Sequence, residues 1–368
     1  MPNVLIVEAW MPTPDTDSAS LRMCEMMRLL VEVGCTVSFF PDDLNPHRGA
    51  RALLEELGVR VVGPPDVSSL TEHLAADGRA YDIILLSRVY VAEKHFDNVR
   101  RLAPDAALVF DTVSLQYLGI FRWARKQRNA FLLQKALEHK RSELRMIRNA
   151  DLSLVVSTYE IDVLRKDCPQ ADGRVLLLPT IHEVKRGDVP FRDREGIFFV
   201  GMFPHYANVD AMRFFCDDVW PLLEDRLPGA PITVVGIHPP DWLQALNSAR
   251  FRVMGRVPDI TPFLTGCRLS IAPIRFGSGI KGKVLLSMGY GLPVVGTSVA
   301  AEGMPLVAEE HLLCGDTPAA FADQVERLYT DEALWNRLSA NGPQFVARHY
   351  SPETVRTHLR AVLDRLDS

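Results

Sequence analysis

Six cysteines, at positions 24, 35, 168, 216, 267 and 314, are all that a chain of 368 residues contains. None belongs to a Cys-x-x-Cys pair or stands at zinc-ligand spacing from a histidine, which argues against a disulfide framework and a structural metal. Long apolar runs are missing as well. Ile83–Leu86 and Leu292–Val295 are among the longest, far below the roughly 20 residues of a membrane span. No secretory leader is evident, because Met1-Pro2-Asn3 leads straight into Val4–Val7 and then an acid, so a cytoplasmic protein is expected. Charge of one sign is not in excess: Lys+Arg 41 against Asp+Glu 46 leaves −5, and the molecule as a whole is no polyanion binder. Glycine is absent just where a dinucleotide site needs it, since Val4–Val7 gives way to Glu8-Ala9-Trp10-Met11-Pro12. A G-x-x-x-x-G-K match does occur at Gly277–Lys283, but Val284 follows. The hydroxyl that would hold Mg²⁺ in a nucleoside triphosphatase is therefore lacking.

What is present is a soluble balance, 47% hydrophobic and 24% charged residues in 41.2 kDa, of a size that suggests two domains. Short apolar, β-branched runs alternate with helix-length segments. In the first half they are Val4–Val7, Thr36–Phe40, Val59–Val62, Ile83–Leu86, Ala107–Phe110, Leu152–Val156 and Val175–Leu178. The second half has Ile197–Val200, Ile232–Val235, Phe251–Met254, Leu269–Ala272, Val294–Gly296 and Leu312–Cys314. Runs that are apolar throughout suit strands buried on both faces of parallel sheets. We expect an α/β protein of two doubly wound domains, 1–184 and 196–350, with the charged stretch Ile181–Glu195 as linker. A last helix over Pro352–Leu366, with apolar Val355, Leu359, Val362, Leu363 and Leu366, is expected to pack back on the first domain within 351–368. Two such domains leave a cleft at the carboxyl ends of their strands, where ligands bind.

One turn carries chemistry. Leu269–Ala272 reads as a strand, Pro273–Gly279 as a glycine-rich bend and Ile280–Tyr290 as a helix. Peptide N–H groups at a helix start form an anion pocket, to which Arg275, Lys281 and Lys283 add three cations. A solvated helix cap carrying ordinary surface lysines is the plainer alternative for the same residues.

The ordered motifs of the second half carry a resemblance. They are Ile197-Phe198-Phe199-Val200-Gly201, Asn208-Val209-Asp210-Ala211, Trp220-Pro221, Val235-Gly236, Gly255-Arg256-Val257-Pro258-Asp259-Ile260, Ala272–Lys283, Gly291-Leu292-Pro293-Val294-Val295 and Ala301-Glu302-Gly303-Met304. In this order they resemble the donor-binding half of GT-B-fold glycosyltransferases, specifically the family 4 (group 1) enzymes. In the first half, the run Pro12–Arg22, Ser87-Arg88-Val89-Tyr90-Val91-Ala92-Glu93 and Phe110-Asp111-Thr112-Val113 look like a bacterial subgroup of surface-polysaccharide and protein-glycosylation loci. The resemblance covers nearly the whole chain and implies two Rossmann-like domains. It implies transfer of a sugar, with retention and without a metal, from a nucleotide-diphosphate donor, UDP- or GDP-sugar, to a glycan, lipid-linked or protein acceptor. No separate cofactor is implied. By the family's pattern Arg275 and Lys281 neutralise the diphosphate, with Lys283 and Ser278 in the same turn. Gly201, Gly277 and Gly279 bring backbone close, and Val257 to Ile260 frame the base. Cations and N–H donors placed there stabilise the leaving group's charge more in the transition state than in the ground state.

The pattern is broken at three places. The usual Glu-x7-Glu falls on Ser278 and Leu286, and Leu286 cannot hold ribose hydroxyls; Glu302 is a candidate for a relocated contact. Where relatives tend to show Asp-Leu-His after the Asp111 run, this chain has Ser114-Leu115-Gln116. Gln116 can still donate a hydrogen bond but cannot titrate. His205 is retained and either reaches the cleft or caps the helix at Asn208. These departures keep a second reading open, a catalytically weakened GT-B protein that acts as partner of an active transferase.

In the loop Pro12–Arg22, Ser18, Ser20 and Arg22 are candidate acceptor contacts. Equally, Asp17 or Ser18 is an N-cap for the helix bearing Met23, Met26, Met27 and Leu30. Finally, residues 121–149 hold nine Lys/Arg and two Glu, net +7, which leaves −12 for the remainder. Interleaved Phe121, Trp123, Phe131, Leu132, Leu133 and Leu137 suit an anionic membrane surface or a lipid-linked acceptor, giving a protein peripheral at the inner face of the membrane. The alternative is a solvated helix face with those side chains in the core. No nucleic-acid motif accompanies the charge.

Overall fold

The computed structural model describes residues 1–15, 17–45 and 48–367. Thr16 of the Pro12–Arg22 run and Ser368 of the last expected helix segment lie outside the described residues. The chain divides into two compact units, Met1–Ile181 with Val355–Ser368, and His182–Thr354.

In the first unit, seven parallel strands form one sheet: β1 Asn3–Glu8, β2 Thr36–Pro41, β3 Arg60–Val61, β4 Ile83–Ser87, β5 Ala107–Asp111, β6 Leu152–Val155 and β7 Val175–Leu177. Their order is β3-β2-β1-β4-β5-β6-β7, with Val4 opposite Val37 on one side and Ile83 on the other. Successive side chains point to opposite faces. Leu5, Val7, Ile84, Leu86, Leu108 and Phe110 bury on one face, Val4, Ile6, Phe39, Ile83, Leu85 and Val109 on the other. Covering both faces with helices is what demands uninterrupted apolar runs. The helix Pro352–Leu366 sends Val355, Leu359 and Val362, spaced one helical turn apart, into the Val4–Ile6 face.

The second unit repeats the plan with β8 Ile197–Val200, β9 Ile232–Val235, β10 Phe251–Gly255, β11 Leu269–Ala272, β12 Val294–Gly296 and β13 Leu313–Cys314, in the order β10-β9-β8-β11-β12-β13. Ile197, Phe199, Ile232, Val234, Leu269 and Ile271 bury on one face, Phe198 and Val235 on the other. Each sheet reverses its strand order once, between β1 and β4 and between β8 and β11.

Several element ends shift by a residue from the sequence expectation, and two departures bear on the fold. The run Val59–Val62 pairs only over Arg60–Val61, as an edge strand. The helix expected from Ile280 starts at Gly282, because Lys281 holds φ −85°, ψ 86° and its ammonium folds back on the carbonyl of Gly279 at 2.7 Å.

Asp17 is the N-cap of the helix Ser18–Glu32, its carboxylate accepting from the Ser20 N–H at 2.8 Å and the Ser20 Oγ at 2.7 Å. Ser20 is buried in that cap. Arg22, expected to face an acceptor, is buried too: it donates to both Asp111 oxygens at 2.7 and 3.1 Å and to the Leu178 carbonyl at 3.2 Å. The ion pair ties helix, β5 and the segment after β7 together and leaves only Ser18 of the three candidates exposed. Removing one partner strands the other charge in a dry interior. Arg22→Ala should therefore cost about 3–5 kcal/mol in urea unfolding of the first unit, against near-neutrality for a surface arginine such as Arg165.

Candidate functional site

Ligands of open parallel sheets bind outside the carboxyl ends of the strands, at the reversal of strand order. In the second unit that place is flanked by Gly201, directly after β8, and by the bend 273–281 after β11. The bend is shaped by Gly277 at φ +137° and Gly279 at φ +64°, left-handed values that side chains disfavour. It is anchored by the Thr297 Oγ1, which donates to the Ile274 carbonyl. The helix Gly282–Gly289 then begins with Lys281 in the N-cap position and no side-chain cap.

Lys283, in the first turn of that helix, donates to the Asn208 Oδ1 at 2.6 Å, and its Nζ lies 4.2 Å from the centroid of the Phe199 ring. Asn208 is itself fixed by donating to the Met202 carbonyl at 2.6 Å. Gly201 closes this arrangement: a Cβ there would sit 2.8 Å from both the Lys283 Nζ and the Asn208 Cγ. Burial, with nearby Lys281 as the lesser cause, lowers the Lys283 ammonium to about 7. Positive charge at a helix N-terminus runs against the helix dipole. Two lysines at that end, one of them desolvated, form a site whose electrostatics an anion would complete.

Arg275 departs from expectation. Its guanidinium forms a two-pronged pair with Asp210, at 2.9 and 2.7 Å, and stacks 4.7 Å from the Phe214 ring. A carboxylate from the helix Tyr206–Arg213 thus already satisfies much of its charge. His205 starts that helix through its backbone, the Asn208 N–H donating to the His205 carbonyl at 2.9 Å, while its exposed side chain makes no cap bond.

Val257 and Ile260 gather with Val200, Phe263 and Leu286 against the buried Phe198, Val235, Leu264, Tyr290 and Leu292. Leu286 thus packs on the same buried cluster as Val257 and Ile260. Ser278 lies in the bend, and Glu302 follows the short helix Ser298–Ala301 after β12. Gln116, Ser18, Ser20 and Arg22 belong to the first unit. There the Gln116 N–H donates to Glu143 at 2.8 Å; burial raises that carboxyl to about 8.

Asn208, Asp210 and Phe199 were not singled out as site residues from the sequence. The Asn208-Val209-Asp210 run was visible, but its partners lie 75 and 65 residues further along the chain, and only folding pairs them. Among the described residues no group of three or more His, Cys, Asp or Glu is placed to hold a metal ion.

Residues 194–331 match the family model described as Glycosyl transferases group 1. No curated protein matches the chain in sequence. Among solved structures, the chain is similar to sucrose-phosphate synthase from Thermosynechococcus elongatus, with TM-score 0.75 and 15% identity over 100% of this chain and 99% of that one. It is also similar to Anabaena HepE in complex with UDP and glucose, with TM-score 0.73 and 13% identity over 99% and 100%. S. aureus TarM, in complex with Fondaparinux, alpha-GlcNAc-glycerol and UDP, gives TM-score 0.73 and 8% identity over 100% of both chains. At such identities the likeness is one of fold, the GT-B arrangement of two parallel-sheet units.

The state of Lys283 is open to titration. An unfolded lysine keeps its proton to about 10.5, the folded one only to about 7, so between those values the unfolded chain binds more protons. Stability of the second unit should therefore rise as pH climbs through this window, by at most about 1.4 kcal/mol per pH unit. Lys283→Met should remove that slope, read as the difference between wild type and variant in urea unfolding at fixed ionic strength.

Proposed function

With residues 194–331 forming a group 1 glycosyltransferase domain on a GT-B fold, we propose that the chain moves a sugar from a UDP- or GDP-sugar to a glycan, lipid-linked or protein acceptor, with retention and without a metal. The single observation that carries this reading is the pair Lys281 and Lys283 at the positive end of the Gly282–Gly289 helix, beside the Gly201 backbone at the sheet reversal. Two phosphates at that place would be met by lysine ammonium groups and by the helix N-terminus. Donor binding restores to Lys283 the proton that burial makes labile, so both lysines face the leaving diphosphate as cations. As the glycosidic bond breaks, negative charge grows on the departing phosphate, and these preorganised groups stabilise it without reorganising. Arg275, held by Asp210, buttresses the bend and keeps part of its guanidinium for the same anion. The apolar wall of Val257, Ile260 and Leu286 supports the base and ribose by contact, with Glu302 the candidate for the ribose hydroxyls. His205 and Gln116 are proposed sugar contacts. No side chain is needed as base, because the acceptor hydroxyl can pass its proton to the leaving phosphate oxygen on the same face.

Lys281→Met and Lys283→Met should each weaken UDP binding by roughly tenfold to a hundredfold, the worth of a charge-assisted hydrogen bond, in calorimetric titration. Gly201→Ala should weaken it as well, by displacing the Lys283 ammonium. Donor hydrolysis or transfer should be indifferent to EDTA, and the product should keep the donor's anomeric configuration by NMR.

Leu286 and the Asp210–Arg275 pair favour a second reading, a donor-binding subunit that supports an active partner transferase. It predicts UDP binding with no hydrolysis or transfer from any UDP- or GDP-sugar by the isolated chain, and activity in the partner's presence.

The basic stretch bears on the acceptor. It folds as the helices Gln116–Gln127 and Ala130–Asn149. Phe121 and Leu144 pack on the core, but Phe131 is 67% exposed and Leu133 and Leu137 are exposed with it, among the exposed cations Arg125, Lys126, Arg128, Lys135 and Arg141. We propose that this tip meets an anionic membrane surface. Among the described residues no helix is long and apolar enough to cross a membrane. Vesicles containing phosphatidylglycerol should sediment the protein in low salt and release it in high salt. Phe131→Ser should reduce the bound fraction severalfold, roughly the loss of one exposed aromatic anchor, and equal binding to neutral vesicles would sink the idea.

A further inference from the structure

The first unit carries a cavity for which sugar transfer has no use. It opens at the amino ends of β5 and β6, where Ala107 and Leu152 line it. Open parallel sheets take their ligands at the other edge, outside the carboxyl ends of the strands. The volume is about 450 Å³, in the range of small-molecule sites. Its charged lining comes from distant stretches of chain: Arg100 in the helix Val89–Leu102, Asp105 just before β5, Asp151 just before β6, Arg174 just before β7 and Arg365 in the last turn of Pro352–Leu366. Among the described residues that line it, three arginines thus face two aspartates, an excess of one positive charge.

The arginines are held in different ways. Asp151 takes Arg100 in a two-pronged pair at 2.8 and 3.1 Å, and also accepts from the Leu108 N–H at 2.7 Å. Burial works to raise the Asp151 carboxyl, but Arg100, the Leu108 N–H and Arg174 outweigh it and keep it below its usual range. Asp151 is therefore ionised at neutral pH and Arg100 is matched. Arg174, half-buried, instead donates to two main-chain carbonyls, those of Ala150 at 3.2 Å and Gln170 at 3.1 Å. Carbonyl dipoles orient a guanidinium without neutralising it, and a guanidinium has five N–H groups to give. Arg365 brings a second such fork to the same cavity. Planar forks of this kind match the oxygens of a phosphate, and the match is stronger for a dianion than for a neutral ligand. The cavity is larger than a bare phosphate needs, and Asp105 adds an acceptor for hydroxyls.

We infer that the cavity at the amino ends of β5 and β6 binds the phosphate group of a small polar molecule, held by Arg174 and Arg365. The source is a phosphomonoester or free phosphate, which share this chemistry.

Calorimetric titration of the full chain tests it, with inorganic phosphate, glycerol 3-phosphate and glucose 1-phosphate as probes and glycerol and glucose as neutral controls. Each is run on wild type and on a Lys281→Met/Lys283→Met variant, so that anions held by the lysine pair do not count. At least one phosphate compound should bind the double variant. In that background Arg174→Ala should weaken it tenfold or more and Arg365→Ala severalfold, while Asp105→Asn should tighten inorganic phosphate. Tighter binding of an ester than of inorganic phosphate would identify the ester as the source, and equal binding free phosphate; either supports the site. UDP affinity of the otherwise wild-type chain should be unchanged by Arg365→Ala, so a failure of UDP to bind would leave this site standing. No binding of any phosphate compound to the double variant, binding untouched by Arg365→Ala and Arg174→Ala, or glucose bound as tightly as its phosphate would overturn it.

Discussion

Two ammonium groups at the positive end of one helix are the arrangement on which the second unit's site depends. Uncompensated, each is unfavourable by a few tenths to about 1 kcal/mol against the helix dipole, and Lys283 bears burial besides. The surroundings hold the strain in place. Asn208 supplies a carbonyl oxygen, Phe199 the face of a ring, and Gly201 the room that any side chain would fill. Those groups keep the lysine poised at its labile protonation state without cancelling its charge by a carboxylate. Arg275 makes the contrast, because Asp210 offsets much of its charge.

Both units use one topological device and fill it differently. At the β8/β11 reversal the backbone comes bare, through Gly201, Gly277 and Gly279, and Lys281 and Lys283 bring positive charge while Asp210 holds Arg275. At the β1/β4 reversal the backbone is strained without glycine, at Arg88 with φ +73° and Val113 with φ +59°, and Arg88 is paired with the buried Glu8. The first gathers cations at a helix start; at the second the cation is already matched by a carboxylate. The same crevice of a parallel sheet thus takes its specificity from a few residues at strand ends, while the apolar strands behind them only hold position.

Much of the fold was legible because buried parallel strands must be apolar on both faces. Runs such as Ile83–Leu86 and Leu269–Ala272 announce themselves without alternation, and the Pro352–Leu366 helix shows its face in the spacing of Val355, Leu359 and Val362. The glycine bend and its lysines were legible for a related reason, since left-handed backbone and clustered charge leave local marks. Arg22 was misread because a cation in a polar loop looks the same whether it meets solvent or a buried Asp111. Phe131 and Leu137 were ambiguous in the same way, as a helical stripe does not tell which side the core is on.

What the sequence determined by itself is whatever depends on near neighbours: strand and helix periods, the bend at Gly277 and Gly279, the Asp17 cap and the run of charge over 121–149. What only the tertiary structure decided is which distant groups meet. Lys283 with Asn208, Arg275 with Asp210, Arg22 with Asp111 and Arg88 with Glu8 are separated by 65 to 89 residues. A charge's role is set by the partner that desolvation forces upon it, and that partner is chosen by the packing of sheets and helices rather than by position along the chain.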